Sequence, residues 1–251
     1  MVIGNFFSKI VKISLTAFII TLCIVYGKTQ TVEGSTGRNN TEEARVFMIT
    51  LSAGGMQPMG AFKSKIHDMQ AQFNLSAFGQ MKAESPLFFG FELGYSVLQD
   101  FGTTLPFTID GIEEEWNVET NSQILYTELA CRYYFPFKVY TVDFFSEFNL
   151  GTNILFTTTT FTPPDPEQAG DTDTDKSAIT VRYGAGLGFH VPVYEMLYLQ
   201  GRVNYAAGLS TRYYAQKESV GPIQDSTIEA FELQKSTTDI LKWDIGLTFT
   251  F

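Results

Sequence analysis

The chain has 251 residues, a formal net charge of −10 and 44% hydrophobic residues, with 23 Phe and 12 Tyr among them. This apolar content excludes a chain that is disordered throughout, and the acidic balance argues against a nucleic-acid partner, which requires a basic face. Only 18% of the residues are charged, whereas roughly a quarter is usual for soluble proteins.

The first segment of the chain is predicted to be a secretory signal peptide over residues 1–27. Lys9 and Lys12 precede an apolar run of 14 residues over 13–26, shorter than the ~20 residues that a membrane-spanning helix needs. A basic start, a short apolar core and a small residue such as Gly27 at the end are typical of a cleaved signal. An uncleaved anchor helix is the alternative.

Two regions follow the signal peptide. Residues 28–44 are polar and are predicted to form a flexible periplasmic lead-in. Residues 45–251 are dominated by alternation with a period of two, as in the last segment, where Trp243 and Leu247 lie on one face and Asp244 on the other. A helix would instead place apolar residues three and four apart, so this region is predicted to be a series of β-strands.

Eight strands are predicted, joined alternately by long and short connections. The strands span 45–56, 70–82, 86–99, 118–135, 139–157, 177–191, 196–213 and 238–251. The short connections are 83–85, 136–138 and 192–195, and the long ones are 57–69, 100–117, 158–176 and 214–237. Residues 63–71 are the segment whose pattern allows a helical turn. Short turns at one end and long loops at the other are typical of an up-and-down transmembrane β-barrel, with both ends of the barrel segment on the short-turn side.

Alternation by itself does not decide which face of the barrel points outward. A soluble, lipocalin-like barrel would enclose the apolar face around a ligand. The membrane arrangement is favoured because the strands exceed the roughly 9–11 residues that cross a bilayer and because the polar face carries glycines and charges of both signs. Aromatic residues also gather at the short-turn end of the apolar face, as in an interfacial girdle. They are Phe89, Tyr133, Phe135, Tyr140, Phe189, Phe249 and Phe251.

The last predicted strand, KWDIGLTFTF, carries alternating aromatic residues and ends in Phe251. In this feature and in the strand pattern, residues 45–251 resemble the small outer-membrane β-barrels of Gram-negative bacteria, the porin-like and OmpA-like transmembrane barrels. The resemblance implies secretory export to the outer membrane, contact with outer-membrane lipids, and recognition of Trp243, Phe249 and Phe251 by the outer-membrane assembly machinery. It does not determine an activity, because this family includes structural proteins, adhesins, small channels and lipid-modifying enzymes.

Alternation also places a set of ionisable side chains inside the barrel, with five acids, four bases and one histidine. They are Glu92, Glu128, Arg132, Asp143, Glu147, Arg182, His190, Arg202, Lys242 and Asp244. An eight-stranded barrel is just wide enough for side chains to fill it, and unpaired buried charges are costly. The near-balance of charge therefore predicts a lumen filled by ion pairs. A narrow ion path is the alternative, and His190 is expected to be a lumen hydrogen-bond partner rather than a catalytic base.

The long connections are acidic. Their carboxylates are Asp110, Glu113, Glu114, Glu115, Asp165, Glu167, Asp171, Asp173 and Asp175. The segment DTDTDK begins like a calcium-binding EF-hand loop, but Lys176 stands at the sixth position, where glycine is required, and Arg182 stands at the twelfth, where glutamate is required. A solvated acidic surface is therefore expected.

Evidence for catalysis is weak in the sequence. Ser64 and His67, three residues apart in the first long connection, are the candidates for the nucleophile and base of a lipid-modifying enzyme. No metal cluster, nucleotide-binding loop or activated cysteine is recognisable, and Cys131 falls on the lipid-facing side of its strand.

We therefore predict a non-enzymatic outer-membrane barrel without cofactor or metal, with a structural or surface-interaction role and an unknown surface ligand. A narrow channel and an outer-leaflet lipid-modifying enzyme are the alternatives.

Overall fold

A computed structural model describes residues 46–66, 69–109, 112–164, 170–217, 223 and 226–251. The predicted signal peptide and lead-in lie outside the described residues. The barrel strands are β1 (Phe47–Pro58), β2 (Gln70–Gln80), β3 (Leu87–Ile109), β4 (Ile112–Val139), β5 (Val142–Thr162), β6 (Asp171–Tyr194), β7 (Leu197–Gly208) and β10 (Ile240–Thr250). The other elements are helix α1 (Gly60–Lys63), strands β8 (Thr211–Gln216) and β9 (Phe231–Ser236), and a 3-10 helix (Thr227–Ala230).

The eight barrel strands form a closed antiparallel sheet in the order β1–β10–β7–β6–β5–β4–β3–β2, with β2 returning to β1. At the seam between β1 and β10, the Phe47 N–H donates to the carbonyl of Phe251 at 3.1 Å, and the Phe251 N–H donates to the carbonyl of Phe47 at 2.9 Å. The predicted fold class, an eight-stranded antiparallel up-and-down barrel, is confirmed.

Two of the four predicted long loops, 100–117 and 158–176, were predicted wrongly. Most of their residues extend the neighbouring strands. β3 and β4 stay paired as far as Ile109 opposite Ile112, and β5 and β6 stay paired as far as Phe161 opposite Asp171. The segments predicted as loops contain runs of threonine, phenylalanine and isoleucine, which favour extended backbone. Each hairpin therefore continues beyond the barrel rim, and the four strands together form a protruding sheet.

The predicted bounds of three other segments differ from the structure by a few residues. The turn between β4 and β5 lies at residues 140–141 rather than 136–138, with Tyr140 in the left-handed region at φ 57°. β6 continues through most of the predicted turn at 192–195 and ends at Tyr194. The helical turn was expected within 63–71, whereas α1 spans Gly60–Lys63 and shares only Lys63 with that segment.

The outer surface of the barrel is apolar. Mid-strand leucines such as Leu51, Leu129 and Leu187 are 64%, 68% and 63% exposed. Exposed aromatic residues mark both ends of this surface. At the short-turn end they include Phe89, Tyr133, Tyr140, Phe189, Phe249 and Phe251. Toward the other end they include Phe73, Tyr95, Tyr183, Tyr205 and Trp243. Such an apolar band with aromatic borders matches the hydrocarbon layer and its two interfaces.

The interior is the inverse of the exterior. Charged and polar side chains such as Glu92, Arg132, Arg182 and Lys242 are buried inside the barrel. This distribution excludes the soluble lipocalin-like alternative, which would enclose the apolar face. Among the described residues, none of the helices is long and apolar enough to span a membrane. The chain is a transmembrane β-barrel of the outer-membrane type, and the predicted localisation is confirmed.

Candidate functional site

The middle of the lumen is filled by ionisable side chains that are almost completely buried. This set, which we term the ionic layer, consists of Glu92, Glu128, Arg132, Glu147, Arg182, Arg202, Lys242 and Asp244. The most accessible of them, Arg202, is 4% exposed. Four carboxylates face four cations, so the formal charges of the layer cancel.

Arg202 is the hub of the ionic layer. Its Nε donates to Asp244 Oδ2 at 3.0 Å, and its Nη1 donates to Glu147 Oε1 at 2.8 Å. Both terminal nitrogens also bond to Glu92, with Nη2 to Oε1 at 2.9 Å. The guanidinium of a β7 residue thus joins carboxylates from β3, β5 and β10 across the lumen, using the fixed fork of donors that only arginine has.

Lys242 and Arg182 neutralise two carboxylates that lie opposite each other. Glu92 and Glu128 stand directly opposite each other on β3 and β4, where like charges destabilise a sheet. Lys242 Nζ donates to Glu92 at 3.1 Å and to Glu128 at 3.2 Å. Arg182 Nε lies 2.6 Å from Glu128 Oε1. The pair of glutamates therefore depends on cations from β6 and β10.

Tyr126 packs under these cations. Its ring centroid lies 4.1 Å from Lys242 Nζ and 4.4 Å from the guanidinium carbon of Arg182, within the range of cation–π attraction. The residue opposite Tyr126 on β3 is Gly94, and a Cβ at that position would overlap the tyrosine ring. A glycine opposite an inward tyrosine is the signal in the sequence that a ring lies flat against the wall.

Arg132 connects the ionic layer to the short-turn end of the lumen. Its Nη2 and Nε donate to Glu147 Oε2 at 2.7 and 3.0 Å, and its Nη1 donates to Gln200 Oε1 at 3.0 Å. Its guanidinium carbon lies 4.0 Å from the ring centroids of both Phe78 and Phe145. The aromatic rings shield this cation on the short-turn side.

The structure does not bring Asp143 and His190 into the ionic layer. Asp143 lies just after the β4–β5 turn and pairs with Lys138 at 2.8 Å, where the two side chains are 24% and 62% exposed. His190 is buried between Tyr134, whose hydroxyl lies 2.8 Å from Nδ1, and Gln200, whose Oε1 lies 2.9 Å from Nε2. The prediction of Asp143 as a buried lumen charge was wrong. Alternation predicts the face of the strand on which a residue lies, but it does not predict whether that residue lies deep in the lumen or at the rim of the barrel.

Apolar side chains cover the ionic layer at the end of the lumen opposite the short turns, which we call the barrel mouth. This mouth plug consists of Met56, Phe62, Ile66, Leu98, Ile124, Leu155, Tyr213, Ala215 and Ile240. Phe62 from the first long connection and Tyr213 from β8 meet edge to face, with ring centroids 5.3 Å apart. The Tyr213 hydroxyl lies 2.7 Å from Ser236 Oγ on β9. The first and last long connections thus fold inward and close the barrel mouth.

A second apolar cluster closes the short-turn end. It contains Met48, Phe78, Phe88 and Ala130, with Val46 and Tyr134 packed against it. The lumen therefore has three layers in the described part of the chain: the mouth plug, the ionic layer and this base cluster. The mouth plug was missed because Phe62 lies in a predicted loop and Tyr213, predicted to end the seventh barrel strand, lies in the separate strand β8. The base cluster was missed because the lumen was predicted from its charged and polar residues alone.

The protruding sheet has two different faces. Its outer face carries Asp100, Thr104, Glu113, Glu115, Asn117, Glu119 and Asn121, which are paired across β3 and β4. Its opposite face, which continues the barrel interior, carries a set that we term the inner tip surface. The inner tip surface consists of Leu105, Phe107, Glu114, Trp116, Phe161, Asp171 and Asp173. The acidic residues of the predicted loops are therefore sorted onto two faces, except for Asp110, Asp165 and Glu167, which lie outside the described residues.

Asp175 lies at a strand irregularity just below the inner tip surface. Burial raises the pKa of its carboxyl group, a hydrogen bond from Thr159 Oγ1 at 2.7 Å opposes that rise, and the neighbouring Asp173 adds to it. Among the described residues, no group of three or more His, Cys, Asp or Glu side chains is arranged to hold a metal ion.

The described residues that were considered for catalysis have ordinary surroundings. Ser64 Oγ donates to the carbonyl of Ala61 at 2.8 Å, one turn back in the chain. His67 lies outside the described residues. Cys131 is a free thiol on the outer wall of β4, partly exposed.

Comparison with known proteins finds only distant structural similarities. No protein-family model matches the chain, and no curated protein matches it in sequence. Among solved structures, neisserial surface protein A is 11% identical with a TM-score of 0.42, over 82% of this chain and 97% of that one. A major outer membrane protein from Thermus thermophilus is 13% identical with a TM-score of 0.44, over 83% of this chain and 100% of that one. The outer membrane protein OprG from Pseudomonas aeruginosa is 17% identical with a TM-score of 0.37, over 84% and 97% of the two chains.

Identities and TM-scores this low carry no argument about function. The assignment rests instead on strand number, closure of the sheet, the apolar exterior and the charged interior. On these grounds the predicted resemblance to small outer-membrane β-barrels is confirmed at the level of the fold.

Proposed function

We propose that this protein is a non-enzymatic outer-membrane β-barrel with a closed lumen, whose protruding sheet and acidic outer face serve a structural or surface-interaction role. The observation that carries the proposal is the stacking of three layers in the lumen. The mouth plug seals the ionic layer from above, and the base cluster seals it from below. Outer-membrane lipids are the partners of the apolar exterior, and the protruding sheet is the surface offered to a ligand outside the cell.

A narrow channel is less well supported by the geometry. Conduction requires a continuous polar path, whereas Phe62, Ile66 and Ile240 in the mouth plug are completely buried. The cations of the ionic layer are each held by carboxylates at short distances, so that moving one of them aside would leave buried charges unpaired. An outer-leaflet lipid-modifying enzyme has no supporting geometry among the described residues.

Planar-bilayer recording tests the closed lumen. The full chain, refolded and inserted, should show no resolvable conductance steps because the two apolar layers and the ionic layer block the path in series. The double variant Phe62→Ala/Tyr213→Ala should also stay silent, since the ionic layer below the mouth plug is intact. Insertion is verified by protease protection of the same preparation. Steady steps from the wild-type chain would contradict a closed lumen and favour the channel.

We further propose that Trp243, Phe249 and Phe251 act as the signal that the outer-membrane assembly machinery reads. All three are outward-facing on or beside β10 and are 41%, 46% and 61% exposed, so a partner can reach them before the barrel is embedded. Phe251 also closes the seam through its two backbone hydrogen bonds to Phe47.

Deleting Phe251 should separate these two roles. The folded barrel loses the seam contacts and one interfacial ring, worth about 1.5–3 kcal/mol if fully buried, so refolding into lipid vesicles should fall by less than about twofold. Surface display in cells should fall at least about tenfold, with precursor accumulating in the periplasm. Phe189→Leu, which removes an outward ring from β6, is the matched control and should leave display nearly unchanged. Equal losses in vesicles and in cells would make Phe251 a packing residue and no signal.

A further inference from the structure

The inner tip surface places aromatic rings in an unusual position, above the barrel mouth and outside the membrane. Phe107 is the central ring, with its centroid 5.8 Å from that of Trp116 and 6.1 Å from that of Phe161. The strand register explains the cluster, because Phe161 is paired with Val118 and lies on the same face as Trp116. Three neighbouring strands therefore contribute one ring each to a continuous apolar face.

The lower part of this face is covered by the chain itself, and the upper part is not. Thr120 Oγ1 lies 2.7 Å from Thr227 Oγ1 of the 3-10 helix, and Val118 at this level is completely buried. One step higher, Phe107, Trp116 and Phe161 remain partly exposed. A contiguous aromatic face in water is a common mark of an interaction site.

Carboxylates flank the rings on the same face. Glu114 is directly opposite Phe107 on β4, and Asp171 is directly opposite Phe161 on β6. The indole Nε1 of Trp116 donates to Glu114 Oε2 at 3.4 Å. None of the ion pairs found among the described residues uses Glu114, Asp171 or Asp173, so these charges are available to an incoming cation.

The adjoining edge of the protruding sheet is open as well. β2 pairs with β3 only as far as Ser96, and β4 is the one strand paired with β3 from Gln99 to Ile109 within the described ranges. An open strand edge offers backbone donors and acceptors to an added strand. A small cation can use only the carbonyl oxygens, whereas an extended polypeptide pairs with the carbonyl and N–H groups together.

We infer that the inner tip surface binds a cationic, extended polypeptide segment of a partner protein. Arginine side chains of the partner would stack on Phe107 and Trp116 and pair with Asp171 and Asp173, since a guanidinium combines planar stacking with bidentate pairing. A second copy of this chain is a poor occupant, because a net charge of −10 would meet the same charge. Anionic lipid headgroups are repelled by the same carboxylates. The inference rests on the proposed surface-interaction role and specifies its site.

Binding of a labelled octapeptide of alternating arginine and threonine to the refolded full chain in detergent tests the inference. Fluorescence anisotropy at low salt should show saturable binding that weakens as salt is raised. The double variant Asp171→Asn/Asp173→Asn should weaken binding at least about tenfold, and Trp116→Leu at least about fivefold. The matched control, Asp100→Asn/Glu119→Gln, removes the same charge from the outer face and should weaken binding less than about threefold.

Three outcomes would overturn the inference. Absence of binding at low salt would remove the site, and equal weakening by the inner and outer double variants would reduce the effect to net charge. Competition by spermine as effective per positive charge as the peptide would make the surface a site for small polycations. Each of these results leaves the bilayer recording unaffected, so failure of the inference is distinguishable from an open lumen.

Discussion

Replacing Arg202 by methionine is expected to lower the free energy of unfolding by about 3–5 kcal/mol, the usual cost of removing one partner from a buried ion pair. Among the described residues, Arg202 is the cation that contacts Glu92, Glu147 and Asp244 together, and all four side chains are at most 1% exposed. Without the guanidinium, four buried carboxylates would face three cations. Urea unfolding in lipid vesicles, followed by tryptophan fluorescence, measures the loss.

The matched control is an ion pair on the same barrel that water reaches. Lys138→Met breaks the exposed pair with Asp143 and should cost no more than about 1 kcal/mol. Combining Arg202→Met with Asp244→Asn should recover part of the loss, since Arg202 is the cation that pairs with Asp244 and the double variant restores three carboxylates to three cations. Similar costs for Arg202→Met and Lys138→Met would show that the lumen is hydrated and that the ionic layer is not closed.

Replacing Leu129 by arginine is expected to lower the stability of the embedded barrel by about 2–4 kcal/mol, the cost of a cation on the lipid face near the bilayer midplane. Leu129 stands between Phe91 on β3 and Leu150 on β5 and is 68% exposed on the isolated chain. In a water-soluble barrel such an exposed leucine would accept arginine at almost no cost. The same urea titration in vesicles therefore reports whether lipid covers this surface.

Two controls accompany Leu129→Arg. Leu129→Ala keeps the position uncharged and should cost much less, because the side chain packs against lipid rather than into a tight core. Asn117→Arg places the same cation on β4 but on the outer face of the protruding sheet, in water, and should change stability by less than about 0.5 kcal/mol. A small effect of Leu129→Arg, no larger than that of Asn117→Arg, would mean that the wall is not embedded at this height.

The barrel could be predicted from the amino-acid sequence because its main determinant is local. Side chains of a strand alternate between two faces, so the alternation of Trp243, Ile245 and Leu247 with Asp244 and Gly246 reports strand and faces together. The same rule placed Glu92, Arg202 and Lys242 inside without any knowledge of their partners. The charged residues fall on the inner face, and the aromatic borders fall on the outer face. This polarity predicted that lipid, and not water, surrounds the barrel.

Only the tertiary structure decided how these side chains are used. Arg202 meets Glu92 across 110 positions of the chain, and no local period encodes which strands face each other across a lumen. Tertiary contacts also decided that Phe62 and Tyr213 turn inward as a plug, and that Trp116 and Phe161 share a face above the mouth. Local patterns fix the side of a strand on which a residue lies, whereas closure of the sheet brings distant strands together and makes these contacts.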